Sequence, residues 1–598
     1  MIKNLFFSLV VVVFNFLPLF AQDISSPDIT KAEIKKHIYY LASDELKGRY
    51  TGSKECLTAA HYIENEFKSY GLKPAFDGSY LQEFPFVAGV ELTKNNSLEF
   101  VTGDKKIIPK LSDEYTIVSF SGKTNINNEL VFAGYGISAP DLNYDDYKGI
   151  DVKDKVVLVL RDHPEMNNPH SKFDEYAPLR KKSVVARDKG AAAIIFINRF
   201  DPNRDKDELL ELDYDQAGAM NDFGVLNMKR EVAEKLFKSQ SLDLMKYQKS
   251  IDDSLKPASF VFNDTKVNLS TEVHEIEKIS WNVCGYLEGN DPELKNQYIV
   301  IGAHFDHLGM GGPNSLYTGK EPQIHNGADD NASGTTGVLE LAQKIANEKD
   351  KLIRTVVFAA FSGEEEGLLG SSYFVEHMPF PAENADAMIN MDMIGRLRDK
   401  SLIIYGTGTS SEWKDILNND NSDSLKLSFN DEGYGPSDQS SFYAKKIPVL
   451  FFFTGTHEDY HKPSDDADKI NFEGEKEVLD YVYDVFNSID DNKTRPDYLL
   501  VEKKESEKMP TRKVWVGTIP DFAGNVDGYK ISGVSEGGPA ETAGLQGGDI
   551  IIKFGDKKIS NIYDFTYALA DFVPGNVVDV VVKRGDKEIT FHVKLGTR

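Results

Sequence analysis

Apolar residues recur at helical spacing near the start of the chain. Ile34, Ile38, Tyr39 and Leu41, then Ala59, Tyr62, Ile63 and Phe67, predict helix within residues 31–71. From about residue 83 to 265 the pattern changes. Short β-like runs such as Val156-Val157-Leu158-Val159-Leu160 and Ala193-Ile194-Ile195-Phe196-Ile197 alternate with turn-rich polar stretches, and no cluster of metal-ligating types appears. From about 281 to 489 strand and helix patterns alternate. Tyr298-Ile299-Val300-Ile301 predicts a strand, and residues 335–347 predict a helix with Asn331 or Ser333 as cap. Residues 355–361 and 447–453 are near-continuous apolar runs, the signature of strands buried on both faces. This alternation predicts an α/β domain. Residues 502–513 mix charges with Ser506 and Pro510 and read as linker. In the last unit, residues 514–598, Gly533-Val534-Ser535-Glu536-Gly537-Gly538-Pro539-Ala540 precedes a short helix, and Gly547-Gly548-Asp549-Ile550-Ile551-Ile552 follows it.

A chain of 598 residues exceeds one compact core, and a prior of ~100–200 residues per domain suggests about three or four units. Hydrophobic content of 40% sets disorder aside as the default. With 68 basic and 95 acidic residues the net charge is −27, which argues against nucleic acid as a partner. Residues 1–21 read as a secretory signal peptide: Lys3, then a mostly apolar run from Leu5 to Phe20, then Ala21 at the cut. The run is short for a ~20-residue span and contains Pro18, so cleavage is favoured over an anchor. The protein is expected to be exported, to the periplasm or beyond, without stable membrane insertion. Cys56 and Cys284 are expected as unpaired core thiols, and two cysteines alone cannot build a metal site.

Five short polar segments each trail an apolar run. They are Ala303-His304-Phe305-Asp306, Gly327-Ala328-Asp329-Asp330-Asn331, Gly363-Glu364-Glu365-Glu366-Gly367, Asn390-Met391-Asp392 and Tyr460-His461. In open α/β sheets ligands gather beyond the carboxyl ends of strands, which is where these segments fall. A hydrolytic zinc centre needs imidazole and carboxylate donors with one position open, and two metals about 3.5–4 Å apart call for a bridging group. His304 and Asp392 would serve one metal, Glu365 and His461 the other, with Asp330 shared. On an extended strand His304 and Asp306 share a face, so Asp306 is expected to accept the second ring N–H of His304, while His307 is expected to point away. Glu364, beside Glu365, suits a general base. Tyr460 is a candidate donor to a developing oxyanion. His457-Glu458-Asp459-Tyr460-His461 matches the HExxH pattern, but that motif works only on a helix. Gly455 before it and Pro463 after it predict a loop, with His457 near the substrate rather than on a metal.

With these residues the chain resembles the secreted dinuclear zinc aminopeptidases, whose fold is shared with glutamate carboxypeptidase and the transferrin receptor. The resemblance covers about 281–489, with residues 31–75 as the usual helical start. It implies a doubly wound mixed sheet and two Zn2+ per chain. It implies His304, Asp330, Glu365, Asp392 and His461 as metal ligands, with Asp330 bridging. It also implies Glu364 as general base, Asp306 as orienting partner and Tyr460 as oxyanion donor. Phe132-Ala133-Gly134-Tyr135-Gly136-Ile137 and the run to Ile197 resemble a β-rich protease-associated insert. Residues 514–598 resemble a PDZ domain of the bacterial protease type, where the loop Trp515-Val516-Gly517-Thr518 would receive protein C-termini. The resulting organisation is a signal peptide at 1–21, a zinc peptidase domain at 22–82 and 266–495, an insert at 83–265, a linker at 496–513 and a PDZ domain at 514–598.

The expected activity is a metal-dependent aminopeptidase acting on peptides. The rivals are a carboxyl-terminal exopeptidase of the same fold and a non-catalytic peptide-binding protein. The first would need cationic groups to grip a carboxylate, and only Arg396 and Arg398 stand near.

Overall fold

The computed structural model describes residues 28–597 apart from 167, 169–170, 202–205, 215–218, 221, 313, 423–424, 502–513, 521–527, 536, 560–564, 566–567, 570–571 and 586. The expected signal peptide and most of the expected linker lie outside the described residues.

In the strand Tyr298–His304 successive side chains leave on opposite faces. Ile299, Ile301 and Ala303 join one apolar cluster, together with Val356, Phe358 and Ala360 of the strand Thr355–Phe361. Tyr298 and Val300 join a second cluster with Val357 and Ala359. Burial on both faces is why these runs are uniformly apolar. With Ala385–Met391 and Val449–Phe453 they form a parallel block in the order 355–361, 298–304, 385–391, 449–453. Val273–Leu287 flanks the block antiparallel on one side and Ser401–Tyr405 on the other. Helices Lys31–Leu41, Lys54–Ser69, Gly334–Asn347 and Phe472–Asp491 cover one face. Leu369–Glu376 and Gln439–Ala444 cover the other. The result is the expected mixed α/β sheet.

The register brings the strand tips level. His304 lies opposite Phe361, and Gly302 opposite Asn390. The helix Gly334–Asn347 starts hard against one of these tips. A Cβ at Gly334 would meet Met391 O at 2.2 Å and Asn331 Oδ1 at 2.4 Å. Only glycine permits that approach.

Leu81–Leu92 and Val273–Leu287 pair as a long antiparallel ribbon, and the end of the second strand enters the main sheet. A second sheet lies between the ribbon strands in sequence, with eight strands running from Ser97 to Thr271. Its strands Thr124–Phe132, Val156–Leu160, Ala193–Ile197 and Gly224–Met228 are mutually parallel. Helices Leu179–Asp188, Arg230–Ser239 and Leu244–Ser254 pack on its two faces. The unit expected to be β-rich has its eight-stranded sheet and, beyond that expectation, helices on both faces, because apolar strands in a parallel sheet need cover on both sides. Within residues 514–597 a separate six-stranded sheet and a two-stranded one pack around Ile531, Ile551, Phe554, Val580, Val582 and Val593. The short helix expected there is Pro539–Ala543. Cys56 and Cys284 are both buried and free, as expected. Among the described residues no helix is long and apolar enough to cross a membrane.

Gly334→Ala is expected to lower the stability of the α/β unit by about 1–3 kcal/mol, the usual cost of forcing extra atoms into a packed interior. Urea unfolding followed by tryptophan fluorescence measures it. An unchanged midpoint would mean that the helix start is not pressed against Met391.

Candidate metal centre

Four loops at the tips of the parallel block carry the polar side chains singled out in the sequence. His304 ends its strand, Glu364 and Glu365 follow Thr355–Phe361, and Asp392 follows Ala385–Met391. Asp330 precedes the helix at Gly334, and His461 comes from the loop after Val449–Phe453. His304 Nε2 lies 3.4 Å from Asp330 Oδ1, 3.4 Å from Asp392 Oδ2 and 3.8 Å from Glu364 Oε2. His461 Nε2 lies 3.3 Å from Asp330 Oδ2 and 3.2 Å from Glu365 Oε2. The two oxygens of Asp330 thus face two different imidazoles.

At these spacings His304 Nε2 and Asp392 Oδ1 are buried without a hydrogen-bond partner. They suit donors around a cation. Tetrahedral ligands at about 2.1 Å from zinc stand roughly 3.4 Å apart. His304, Glu364 and Asp392 offer atoms that converge as one group, and His307, Asp330 and Glu365 as another.

The electrostatics of these side chains report the same crowding. Burial pulls the His304 imidazole down, but Asp392 and Glu364 outweigh it and hold its pKa well above the ordinary value. Burial also works against the charged form of His461, yet Asp330 and Glu365 push it up to about 11. Burial drives Glu364 well above the usual carboxylate range, opposed by His304 and reinforced by Glu365 and Asp392. For Glu365, His307 and His461 overcome burial and lower the pKa. Acidic side chains outnumber positive groups here, so additional cationic charge is favoured.

The imidazoles are set for ligation by backbone carbonyls. His461 Nδ1 is 2.8 Å from Asn314 O, and His304 Nδ1 is 3.3 Å from Asp306 O. A carbonyl only accepts, so Nδ1 carries a proton, and Nε2 is the nitrogen that would meet a cation on giving up its own. The carboxylate of Asp306 stands farther off, at 3.6 Å from His304 Nδ1. Its oxygens accept from the Thr51 hydroxyl at 2.8 Å and from Glu364 N at 3.2 Å. Asp306 therefore anchors the backbone of Glu364 as well as facing His304. The chain leaves the strand at His304, so alternation no longer governs Asp306 or His307. His307, expected to point away, is buried with Nδ1 2.6 Å from Glu365 Oε1.

Several supporting residues carried no local signal. Arg49 is fully buried and donates to Phe305 O at 2.7 Å, Asn326 O at 2.7 Å, Gly327 O at 3.0 Å and Leu41 O. It ties together the two ends of the loop that runs from His304 to Asp330. Asp465 Oδ2 accepts from Asp329 N at 3.0 Å and Asp330 N at 3.1 Å. Asn331, by contrast, is one of the two expected caps: it follows a cis peptide bond from Asp330, caps the helix through Gly334 N at 2.8 Å and accepts from Met393 N at 3.2 Å.

The HExxH match lies in a loop, as expected. His457 is buried with Nε2 3.1 Å from Asp329 Oδ2, so it supports the Asp330 loop rather than lining a substrate path. Tyr460 is half-buried, its ring stacked on His461 with centroids 3.9 Å apart. Arg396 donates to Asp459 at 3.0 Å and faces Asp465 at 3.8 Å. Arg398 donates to Thr456 O at 2.9 Å. Both arginines are thus engaged by the chain itself.

Residues 282–486 match the sequence model of Peptidase family M28. This chain carries a Peptidase family M28 domain. Residues 499–595 match the PDZ domain model. Leucine aminopeptidase 2 of Trichophyton equinum is 28% identical over 218 residues, which cover 34% of this chain and 40% of that protein. Aminopeptidase YwaD of Bacillus subtilis (strain 168) is 30% identical over 167 residues, covering 26% and 36%. The chain spans less than half the length of these curated relatives. Among solved structures, an aminopeptidase from Aneurinibacillus sp. strain AM-1 aligns with a TM-score of 0.46 at 23% identity, over 80% of this chain and 97% of that one.

Replacing Arg49 with Met would strand several buried carbonyls and remove its guanidinium from beneath the acidic site. A loss of about 3–5 kcal/mol is expected, the range for breaking a buried charge network by removing one partner. Thermal and denaturant unfolding of the variant test this, and a change under ~1 kcal/mol would contradict the buried contacts.

Proposed function

We propose that the protein is a zinc-dependent aminopeptidase that removes N-terminal residues from peptides. The observation that carries this reading is the convergence of His304, Asp330, Glu365, Asp392 and His461 around two gaps sized for cations, with Glu364 at their edge. His304 and Asp392 would hold one Zn2+, Glu365 and His461 the other, with Asp330 giving one oxygen to each. When bound, the cations supply Lewis acidity toward a water and the scissile carbonyl.

The chain's own groups then have distinct tasks. Glu364, its backbone N–H fixed by Asp306, accepts the proton of the attacking water at a carboxylate oxygen and returns it to the departing amine. Tyr460, oriented by its stacking on His461, donates its hydroxyl hydrogen toward the oxygen that gains charge. The pairing of Arg396 with Asp459 and of Arg398 with the Thr456 carbonyl favours an aminopeptidase over a carboxyl-terminal exopeptidase. The PDZ domain is proposed to receive protein C-termini, and the second sheet to serve as the protease-associated unit. Export is proposed on the strength of residues 1–21 alone.

Paired peptides test the direction of attack. A free-amine peptide is expected to lose its first residue, and its N-acetylated counterpart to remain intact. Cleavage of the acetylated peptide alone would overturn the aminopeptidase reading. Glu364→Gln is expected to reduce kcat by about 10²–10⁴-fold, the usual contribution of a general base, at nearly unchanged zinc content. Steady-state kinetics beside metal analysis decide it, and full activity in that variant would remove Glu364 from the mechanism.

A further inference from the structure

Glu365 uses its two oxygens differently. Oε2 faces His461 Nε2 at 3.2 Å across one of the cation gaps. Oε1 faces His307 Nδ1 at 2.6 Å, a charge-assisted length. An ionised carboxylate only accepts, so the proton of this contact belongs to His307 Nδ1. With that proton in place Nδ1 has no lone pair for a metal. It is also 4.0 Å from Asp330 Oδ2, outside hydrogen-bonding range.

The imidazole has a built seat. It is fully buried, and the backbone N–H of His307 reaches Arg49 O at 3.4 Å. A Cβ at Gly327 would stand 2.5 Å from ring atoms Cγ and Cδ2. Gly327 also has φ of 57°, a left-handed conformation that favours glycine. The bare backbone leading into Asp330 is therefore what admits the ring beside Glu365.

We propose that His307 is a positioning residue for the cation held by Glu365, His461 and Asp330: its Nδ1–H holds Glu365 Oε1 and turns Oε2 alone toward the metal. This rests on the two-cation reading. Groups that orient ligands in this way typically change metal affinity 10–100-fold when removed. The effect should fall on one site only, because the cation of His304 and Asp392 does not use Glu365.

The test uses the full chain, stripped by a chelator and titrated with zinc against a chromophoric competitor. Wild type, H307L and H307N are compared. Leucine removes the donor, whereas asparagine keeps an N–H near the position of Nδ1. In H307L one zinc equivalent is expected to weaken about 10–100-fold and the other to stay within ~3-fold. In H307N both are expected to stay within ~3-fold of wild type. Unchanged binding in H307L, equal weakening of both equivalents, or an H307N that loses zinc as H307L does would each overturn the proposal. If H307L does not fold, H307A, which also lacks the donor, takes its place with the same expected one-site loss. A wild-type chain that takes up fewer than two equivalents would instead bring down the two-cation reading.

Discussion

The costliest feature of this chain is a crowd of buried carboxylates at one edge of a parallel sheet. Asp330, Glu364, Glu365 and Asp392 meet there, with Asp306 beneath. Removing charges from water is opposed by several kcal/mol per ion after relaxation, unless each finds a partner. The surrounding architecture supplies those partners in layers. Two imidazoles face the acids, and the Arg49 guanidinium lies below with its hydrogen bonds on both ends of the loop that joins His304 to Asp330. What remains is an excess of negative charge, which favours added cationic charge at this edge.

Geometry at the site depends more on the backbone than on neighbouring side chains. Carbonyls of Asp306 and Asn314 fix the tautomers of His304 and His461. Backbone N–H groups bring the acids into line: Glu364 N holds Asp306, while the N–H groups of Asp329 and Asp330 grip Asp465. Backbone partners move only when whole loops move. A site assembled this way is pre-organised by the fold, which is the condition under which fixed dipoles and carboxylates act most strongly.

The same economy governs the larger plan. One strand, Val273–Leu287, belongs to the ribbon over its first part and to the main sheet over its last. The second sheet hangs on this ribbon, so an α/β unit enters the domain without breaking the parallel block that carries the site. Both sheets rest on central strands buried on both faces, and each recruits helices to cover them.

Residue order alone fixed the apolar strands, the polar ends of those strands and the donor types waiting there. These are local properties: period, length and the residue that follows a run. Tertiary structure decided everything that joins distant segments. Arg49 lies more than 250 residues before the carbonyls of Phe305 and Gly327 that it holds, and no spacing rule links them. His307 turned toward Glu365 because the strand stops at His304, and strand alternation has no force beyond that point. The helices of the second sheet were missed for a related reason, since short amphipathic segments take helical form when an apolar sheet face is there to pack against.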